Sequence, residues 1–275
     1  MAIVGYRTYP CGTVATQIED LELASEELAQ RYPQLCSQAA NTEFGVCLMG
    51  HSSGANVAFL LVAEWTRQRM ELLERAHKKR GYMDVDDSTM EYNQQQQPIT
   101  ANIPKQMSGP GMRIDSFVGI SGPYNISNHF DYEASRGLEE LSPMKPACGY
   151  SREEFRKHSP ALKIVDCMSA WSAECEKRAL DNIIPSLVLI HGMEDDVVPF
   201  TSTAEAASLL RSCGVTKLDE VYLARTAHNE CALQLMMGGE TQDIVLDWIQ
   251  NLQVKHQQQQ HPKRAHKKMV VKSRL

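Results

Sequence analysis

Five residues, Gly50-His51-Ser52-Ser53-Gly54, constrain this chain more than any others. An apolar run at residues 44–49 precedes them, and a longer one at residues 55–65 follows. The first reads as a buried strand and the second as a buried helix. Gly-x-Ser-x-Gly at such a junction has the form of a nucleophile elbow, a turn so sharp that the serine is held exposed on strained backbone. Glycine on either side removes Cβ atoms that would clash. The three fixed positions recur by chance, and a Gly/Ser-rich turn is the plain alternative. The strand-turn-helix context is what makes the pattern specific and marks Ser52 as a candidate nucleophile.

The 275 residues, 43% of them hydrophobic, suffice for one large α/β domain or two small ones. The net charge of −6 is spread over both signs, which argues against a dedicated nucleic-acid binder. No apolar run reaches the roughly 18 residues of a membrane-spanning helix. The opening Met1-Ala2-Ile3-Val4-Gly5-Tyr6-Arg7 lacks the basic region and long apolar core of a secretory signal. Eight cysteines lie scattered without a CxxC pair, so reduced and mostly buried thiols are expected, with no disulfide framework and no zinc site.

The pattern predicts a short strand at residues 2–6 and an amphipathic helix at 13–31. Thr16 and Glu19 have capping-box form. Strand 44–49 and a helix from 53 to about 70 flank the elbow. Residues 71–112 change character: Lys78-Lys79-Arg80, three aspartates at 84, 86 and 87, and Gln94 to Gln97 make a polar stretch too poor in apolar surface to order itself. A disordered insertion is expected there, after any extension of the preceding helix. A strand follows at 114–120. Residues 125–184 form a long, mostly helical excursion where a lid would sit. A fully apolar strand at 186–191 suits a parallel sheet. Then come a helix at 201–212 with Gly214 beyond it, a strand at 217–223 and a final helix at 240–253. Residues 255–275, Gln-rich and then basic, are expected to be disordered. Strands alternating with helices argue a doubly wound α/β sheet.

A serine hydroxyl needs a base to take its proton, and the base needs a third group to orient it. Where a strand-elbow-helix carries the serine, the acid and then the histidine follow along the chain. After the apolar strand comes Gly192-Met193-Glu194-Asp195-Asp196-Val197-Val198-Pro199. Asp195 is the chosen acid, although Glu194 and Asp196 fit on spacing, and a solvated acidic turn is the bland alternative. Of nine histidines, only His228 lies in a loop directly after a strand and downstream of that acid. His256, His261 and His266 fall in the low-complexity tail. His129 and His158 belong to the excursion, His191 closes the strand before the acid, and His51 is the variable position of the elbow. His228 is therefore the candidate base.

These residues carry a resemblance. Val4-Gly5-Tyr6-Arg7-Thr8-Tyr9-Pro10 with Gly12, and Leu48 to Ala55 around the elbow, resemble the α/β-hydrolase esterase superfamily. So do Gly119 to Asn125, Arg136-Gly137-Leu138, Ser159-Pro160, His191 to Asp195 with Val198-Pro199, and Thr226 to Asn229. Within it, the likeness is to isoprenylcysteine α-carbonyl methylesterases and to related feruloyl-esterase-like and kynurenine-formamidase-like enzymes. It covers nearly all of residues 1–254 apart from the insertion. The elbow and acid motifs are common to the superfamily, whereas the Gly-Pro-Tyr-Asn, Arg-Gly-Leu and Ser-Pro segments favour the methylesterase branch. The resemblance implies an α/β-hydrolase fold, mostly parallel with helices on both faces and a helical lid. It implies a carboxyl ester substrate, such as a methyl ester of a prenylated cysteine, and no cofactor or metal. It makes the Ser53 N–H an oxyanion-hole donor. His51, within the elbow, and Tyr124, after its strand, are candidate pocket residues, although Tyr124 could equally pack beneath the lid.

One part of the pattern is missing. The superfamily's His-Gly-Gly loop, which supplies further oxyanion amides, occurs nowhere before Ser52. Met1 falls where the family has mid-strand sequence. The expectation is therefore a fragment, an internal-start product or an incomplete gene model that lacks the N-terminal strands, including the one that would pair with the first. This keeps a second function open, a catalytically impaired module that binds or interacts, beside an aryl esterase or formamidase. The chain closes on Ser273-Arg274-Leu275, similar to a peroxisomal address, so a peroxisomal location stands as the alternative to the cytosol.

Overall fold

The computed structural model describes residues 1–33, 45–83, 114–170 and 183–260. Most of the expected insertion, the middle of the expected tail and the terminal Ser273-Arg274-Leu275 lie outside the described residues. Helix α1 spans Val14–Arg31, followed by strand β1 (Val46–His51), helix α2 (Ser53–Met83) and strand β2 (Ile114–Ile120). The excursion carries α3 (Ile126–Ser135), α4 (Met144–Cys148), α5 (Arg152–Lys157) and α6 (Pro160–Ala170). Then come β3 (Ser186–Gly192), α7 (Thr201–Ser212), β4 (Leu218–Leu223), α8 (His228–Met237) and α9 (Glu240–Gln260). Residues Met1–His228 form one compact unit and Asn229–Leu275 a second.

The four strands of the first unit pair in the order β1-β2-β3-β4, all parallel. Parallel neighbours need a crossover between them, and helices supply it at each step. The two central strands explain their own sequences. β2 is buried except at Asp115, and β3 is buried from Leu187 onward, so Phe117–Ile120 and Leu187–Ile190 read as apolar runs rather than alternating ones. One face of the sheet is covered by a single cluster that includes Ala55, Phe59 and Val62 of α2, Ile164 of α6 and Leu210 of α7 against Phe117, Leu187 and Leu189. Phe59 and Phe117 stack with ring centroids 4.7 Å apart.

The excursion is tied down by side chains that satisfy backbone groups at helix starts. Asn125 caps α3 by accepting from the Asn128 N–H at 3.4 Å. The buried Ser159 hydroxyl accepts from the Ile126 N–H at 2.8 Å and donates to the Phe155 carbonyl at 2.7 Å, which joins α5 to α3. Asn56 of α2 donates to the carbonyls of Pro123 (2.8 Å) and His158 (3.1 Å). Gly214 follows α7 at φ +90°, a left-handed position that suits glycine.

Four expectations are corrected. Residues 2–6 form no strand, and Ala2 and Ile3 are exposed. A strand is held by a partner's ladder, and β1 pairs with β2 alone among the described residues. The α1 cap lies one turn earlier than Thr16 and Glu19: Thr13 is the N-cap, and its N–H donates to Thr16 Oγ1 at 3.4 Å. Helix α9 runs on through the Gln257–Gln260 run, which was expected to be disordered, whereas the continuation of α2 to Met83 is the extension into the polar stretch that the sequence left open. Helix α8 was not foreseen. Among the described residues no helix is long and apolar enough to cross a membrane.

Candidate active site

The site is built at the carboxyl ends of β1, β3 and β4, where open parallel sheets bind their ligands. Ser52 sits between β1 and α2 at φ +56°, a left-handed conformation rare for a side-chain-bearing residue. Hydrogen bonds hold it there. Its N–H donates to the Ile120 carbonyl at the end of β2 (2.8 Å), and its own carbonyl accepts from Ala55 N–H (2.9 Å) to start α2. The two glycines of the elbow differ. A Cβ on Gly50 would lie 2.3 Å from the Gly54 carbonyl oxygen and 2.6 Å from Ala55 N, so Gly50 is required for β1 and α2 to meet. A Cβ on Gly54 would meet only the Tyr6 hydroxyl, at 3.3 Å. The expected clash on both sides is thus confined to one.

The acid and base loops leave adjacent strands and are zipped together. Met193 N–H donates to the Leu223 carbonyl (2.9 Å), and Glu194 N–H to the Thr226 carbonyl (3.1 Å). Arg225, at φ +54°, turns the second loop so that His228 points back over the sheet. His228 Nε2 lies 2.9 Å from Ser52 Oγ, and its Nδ1 lies 2.7 Å from Asp195 Oδ2. Asp195 and His228 are buried. Of the three acidic neighbours, geometry singles out Asp195. Glu194 and Asp196 are exposed, and the Asp196 carbonyl accepts hydrogen bonds from the Tyr132 hydroxyl (3.0 Å) and the Arg136 guanidinium.

Asp195 Oδ1 accepts from the N–H groups of Val197 (3.0 Å) and Val198 (2.8 Å). Burial works against its charge, yet the hydrogen bonds from His191, His228 and the Val198 N–H outweigh it and hold the carboxyl below the usual carboxylate range. Asp195 is therefore ionised at neutral pH and accepts the His228 Nδ1–H. That leaves Nε2 free to take the Ser52 proton.

His51 is half-buried beside the base. Its Nε2–H donates to the His228 carbonyl (3.0 Å), and the two rings lie 4.8 Å apart. Burial pushes its pKa below the ordinary histidine value. Tyr124 does not line a pocket. It is fully buried in the core cluster, edge-on to Phe59 at 5.6 Å, with its hydroxyl against Gly119. Ser53 opens α2 and is exposed, a position where the backbone N–H has no partner within the helix. The sequence reading missed His191 as a partner of Asp195. The clue was in its position: it is in phase with Leu187 and Leu189 along β3 and four residues before the acid.

No protein-family profile matches the chain. Among curated proteins it is 26% identical over 253 residues to a probable isoprenylcysteine alpha-carbonyl methylesterase of Oryza sativa subsp. japonica, covering 90% of this chain and 49% of that protein. It is 23% identical over 258 residues to an isoprenylcysteine alpha-carbonyl methylesterase of Arabidopsis thaliana, covering 90% and 47%. The chain thus spans about half the length of the curated relatives it matches. Among solved structures it is similar to esterase B from Lactobacillus rhamnosis bearing a tributyrin phosphonate inhibitor, with a TM-score of 0.57 and 14% identity over 94% of this chain and 67% of that one. An acetyl ester-xyloside bifunctional hydrolase from Caldicellulosiruptor lactoaceticus gives a TM-score of 0.54 and 14% identity over 90% and 70%. The fold is shared with these structures: the chain has the α/β-hydrolase fold.

Proposed function

We propose that this chain hydrolyses a carboxyl ester through an acyl-enzyme on Ser52. The observation that carries the reading is the unbroken relay from Ser52 Oγ to His228 Nε2 at 2.9 Å and from His228 Nδ1 to Asp195 Oδ2 at 2.7 Å, with the serine on a left-handed elbow. Ser52 attacks the ester carbonyl as His228 takes its proton. The Ser53 N–H, at the electropositive start of α2, faces the negative charge that develops on the carbonyl oxygen. His228 then protonates the leaving alcohol, and water deprotonated by the same imidazole releases the acid. Asp195 holds the imidazole and stabilises its charged form. The proposed chemistry draws on these three side chains, the Ser53 N–H and water, and needs no metal or cofactor.

The similarity to the methylesterases favours a methyl ester of a prenylated cysteine as substrate. An aryl ester or a formamide is the alternative within the same chemistry. A second reading, from another class, is a module that binds without turnover. A fluorophosphonate probe separates them. Labelling of the folded parent and not of Ser52→Ala supports the hydrolase. A folded chain, checked by circular dichroism, that stays unlabelled overturns it. Comparing an S-farnesylcysteine methyl ester with p-nitrophenyl acetate and an N-formyl aromatic amine then ranks the substrates.

A further inference from the structure

Asp195 serves two imidazoles, and one of them lies outside the relay. His191 is completely buried at the end of β3. Its Nε2 lies 2.9 Å from the Val198 carbonyl oxygen and 3.2 Å from Asp195 Oδ2, the same carboxylate oxygen that meets His228. Both neighbours only accept hydrogen bonds, so Nε2 carries the proton. On the other side of the ring, Nδ1 lies 2.8 Å from the Thr203 hydroxyl, whose hydrogen it can accept. Thr203 is buried in the first turn of α7. One tautomer therefore satisfies every contact of this ring, with Thr203 fixing it from α7.

The consequence concerns the carboxylate's orientation. The amides of Val197 and Val198 pin Oδ1, but two donors on one oxygen still allow the group to turn about that end. A donor on Oδ2 stops the turn. His228 cannot be that donor alone, because its own orientation depends on Oδ2. We infer that His191 is a positioning residue for the relay, its Nε2–H holding Asp195 Oδ2 in the place from which it orients His228. The ring also grips the Val198 carbonyl, so the acid turn is anchored at both of its ends, to β3 through His191 itself and to α7 through Thr203.

This inference rests on the hydrolase reading, and its test separates the two. The parent, His191→Leu, His191→Gln and Thr203→Val are compared in fluorophosphonate labelling rate, thermal midpoint, and kcat and KM for p-nitrophenyl acetate. Glutamine can place an N–H where Nε2–H stands, whereas leucine cannot. His191→Leu should lower kcat by about tenfold or more with KM within about twofold, and His191→Gln should recover most of the loss. A purely structural histidine would reduce the active fraction in proportion to unfolding and leave kcat per folded molecule unchanged. A folded His191→Leu with parental kcat, or a His191→Gln as slow as His191→Leu, overturns the inference and leaves the hydrolase standing. Should His191→Leu fail to fold, Thr203→Val decides. It keeps the shape but removes the hydroxyl that holds Nδ1, so the ring loses its anchor to α7; kcat should fall about threefold, and an unchanged kcat overturns the inference. A parent that neither labels nor turns over ester refutes the hydrolase reading itself, and this inference with it.

Discussion

Replacing Gly50 by alanine tests the account of the elbow most directly. The added Cβ would lie 2.3, 2.5 and 2.6 Å from Gly54 O, Gly54 C and Ala55 N, all backbone atoms of the first turn of α2. Backbone cannot rotate out of the way, so α2 must lift from β1 by about 1 Å to restore ordinary contact. That lift unpacks Ala55, Phe59 and Val62, which are fully buried against the sheet. Overpacking typically costs about 1–3 kcal/mol, and rigid atoms on both sides place this case at about 3 or more. For a chain of this size, that lowers the thermal midpoint by about 6–12 °C. The same movement shifts Ser52 Oγ relative to His228 Nε2, and a misplacement of about 1 Å reduces a rate by about a hundredfold. Gly54→Ala is the control. Its Cβ meets only the mobile end of Tyr6, and alanine gains up to about 1 kcal/mol over glycine within a helix. Differential scanning calorimetry and fluorophosphonate labelling read both variants. A Gly50→Ala protein with parental midpoint and labelling would refute the reasoning.

Strain at Ser52 gives a second comparison. At φ +56° glycine should raise stability by about 1 kcal/mol while alanine does not, and both should abolish labelling; equal midpoints for the two in thermal melts would count against stored strain. Asp195→Asn removes the charge that faces His228 and disturbs the acceptor role on which the tautomer depends, so kcat/KM should fall by about 10⁴, read by steady-state ester hydrolysis. His51 and His158 are half-buried, and burial lowers the pKa of each. The unfolded chain therefore takes up protons near pH 6.5 that the folded chain resists, so their combined effect is a loss of stability as pH falls below that value. Each histidine contributes at most about 1.4 kcal/mol per pH unit. Urea denaturation between pH 7.5 and 5.5 should show the decline, and His158→Gln should flatten it.

What could be read in the sequence was whatever rests on local pattern. The central strands Ile114–Ile120 and Ser186–Gly192 announce themselves because both faces are covered and most positions, Phe117–Ile120 and Leu187–Ile190 above all, are apolar without alternation. Helix α7 was legible to the residue because its apolar spacing ends at a glycine. Ser52 was legible from the elbow, and Asp195 and His228 from their order after strands. Relations that depend on distant partners were not legible. Residues 2–6 have a strand's composition, but pairing decides the matter. Gly50 and Gly54 look equivalent in the motif, yet only one lies under the crossing of β1 and α2. Tyr124 follows a strand as a pocket residue would, but its ring turns into the core. His191 looked like the end of a strand because the turn that folds Asp195 back onto it leaves no mark in composition.

The relay joins residues far apart along the chain: Ser52 and His228 are separated by 176 positions and Asp195 and His228 by 33. Every neighbouring pair of strands is parallel and joined by a long crossover. Such topologies gather their contacts late and fold slowly. The elbow already needs β2, whose Ile120 carbonyl accepts the Ser52 N–H, and the serine meets its base only when β3 and β4 are in place as well. On the hydrolase reading, the capacity to react is thus among the last properties the chain acquires. During refolding, the appearance of a nucleophilic serine times the closure of the whole sheet, whereas helical signal can rise well before it.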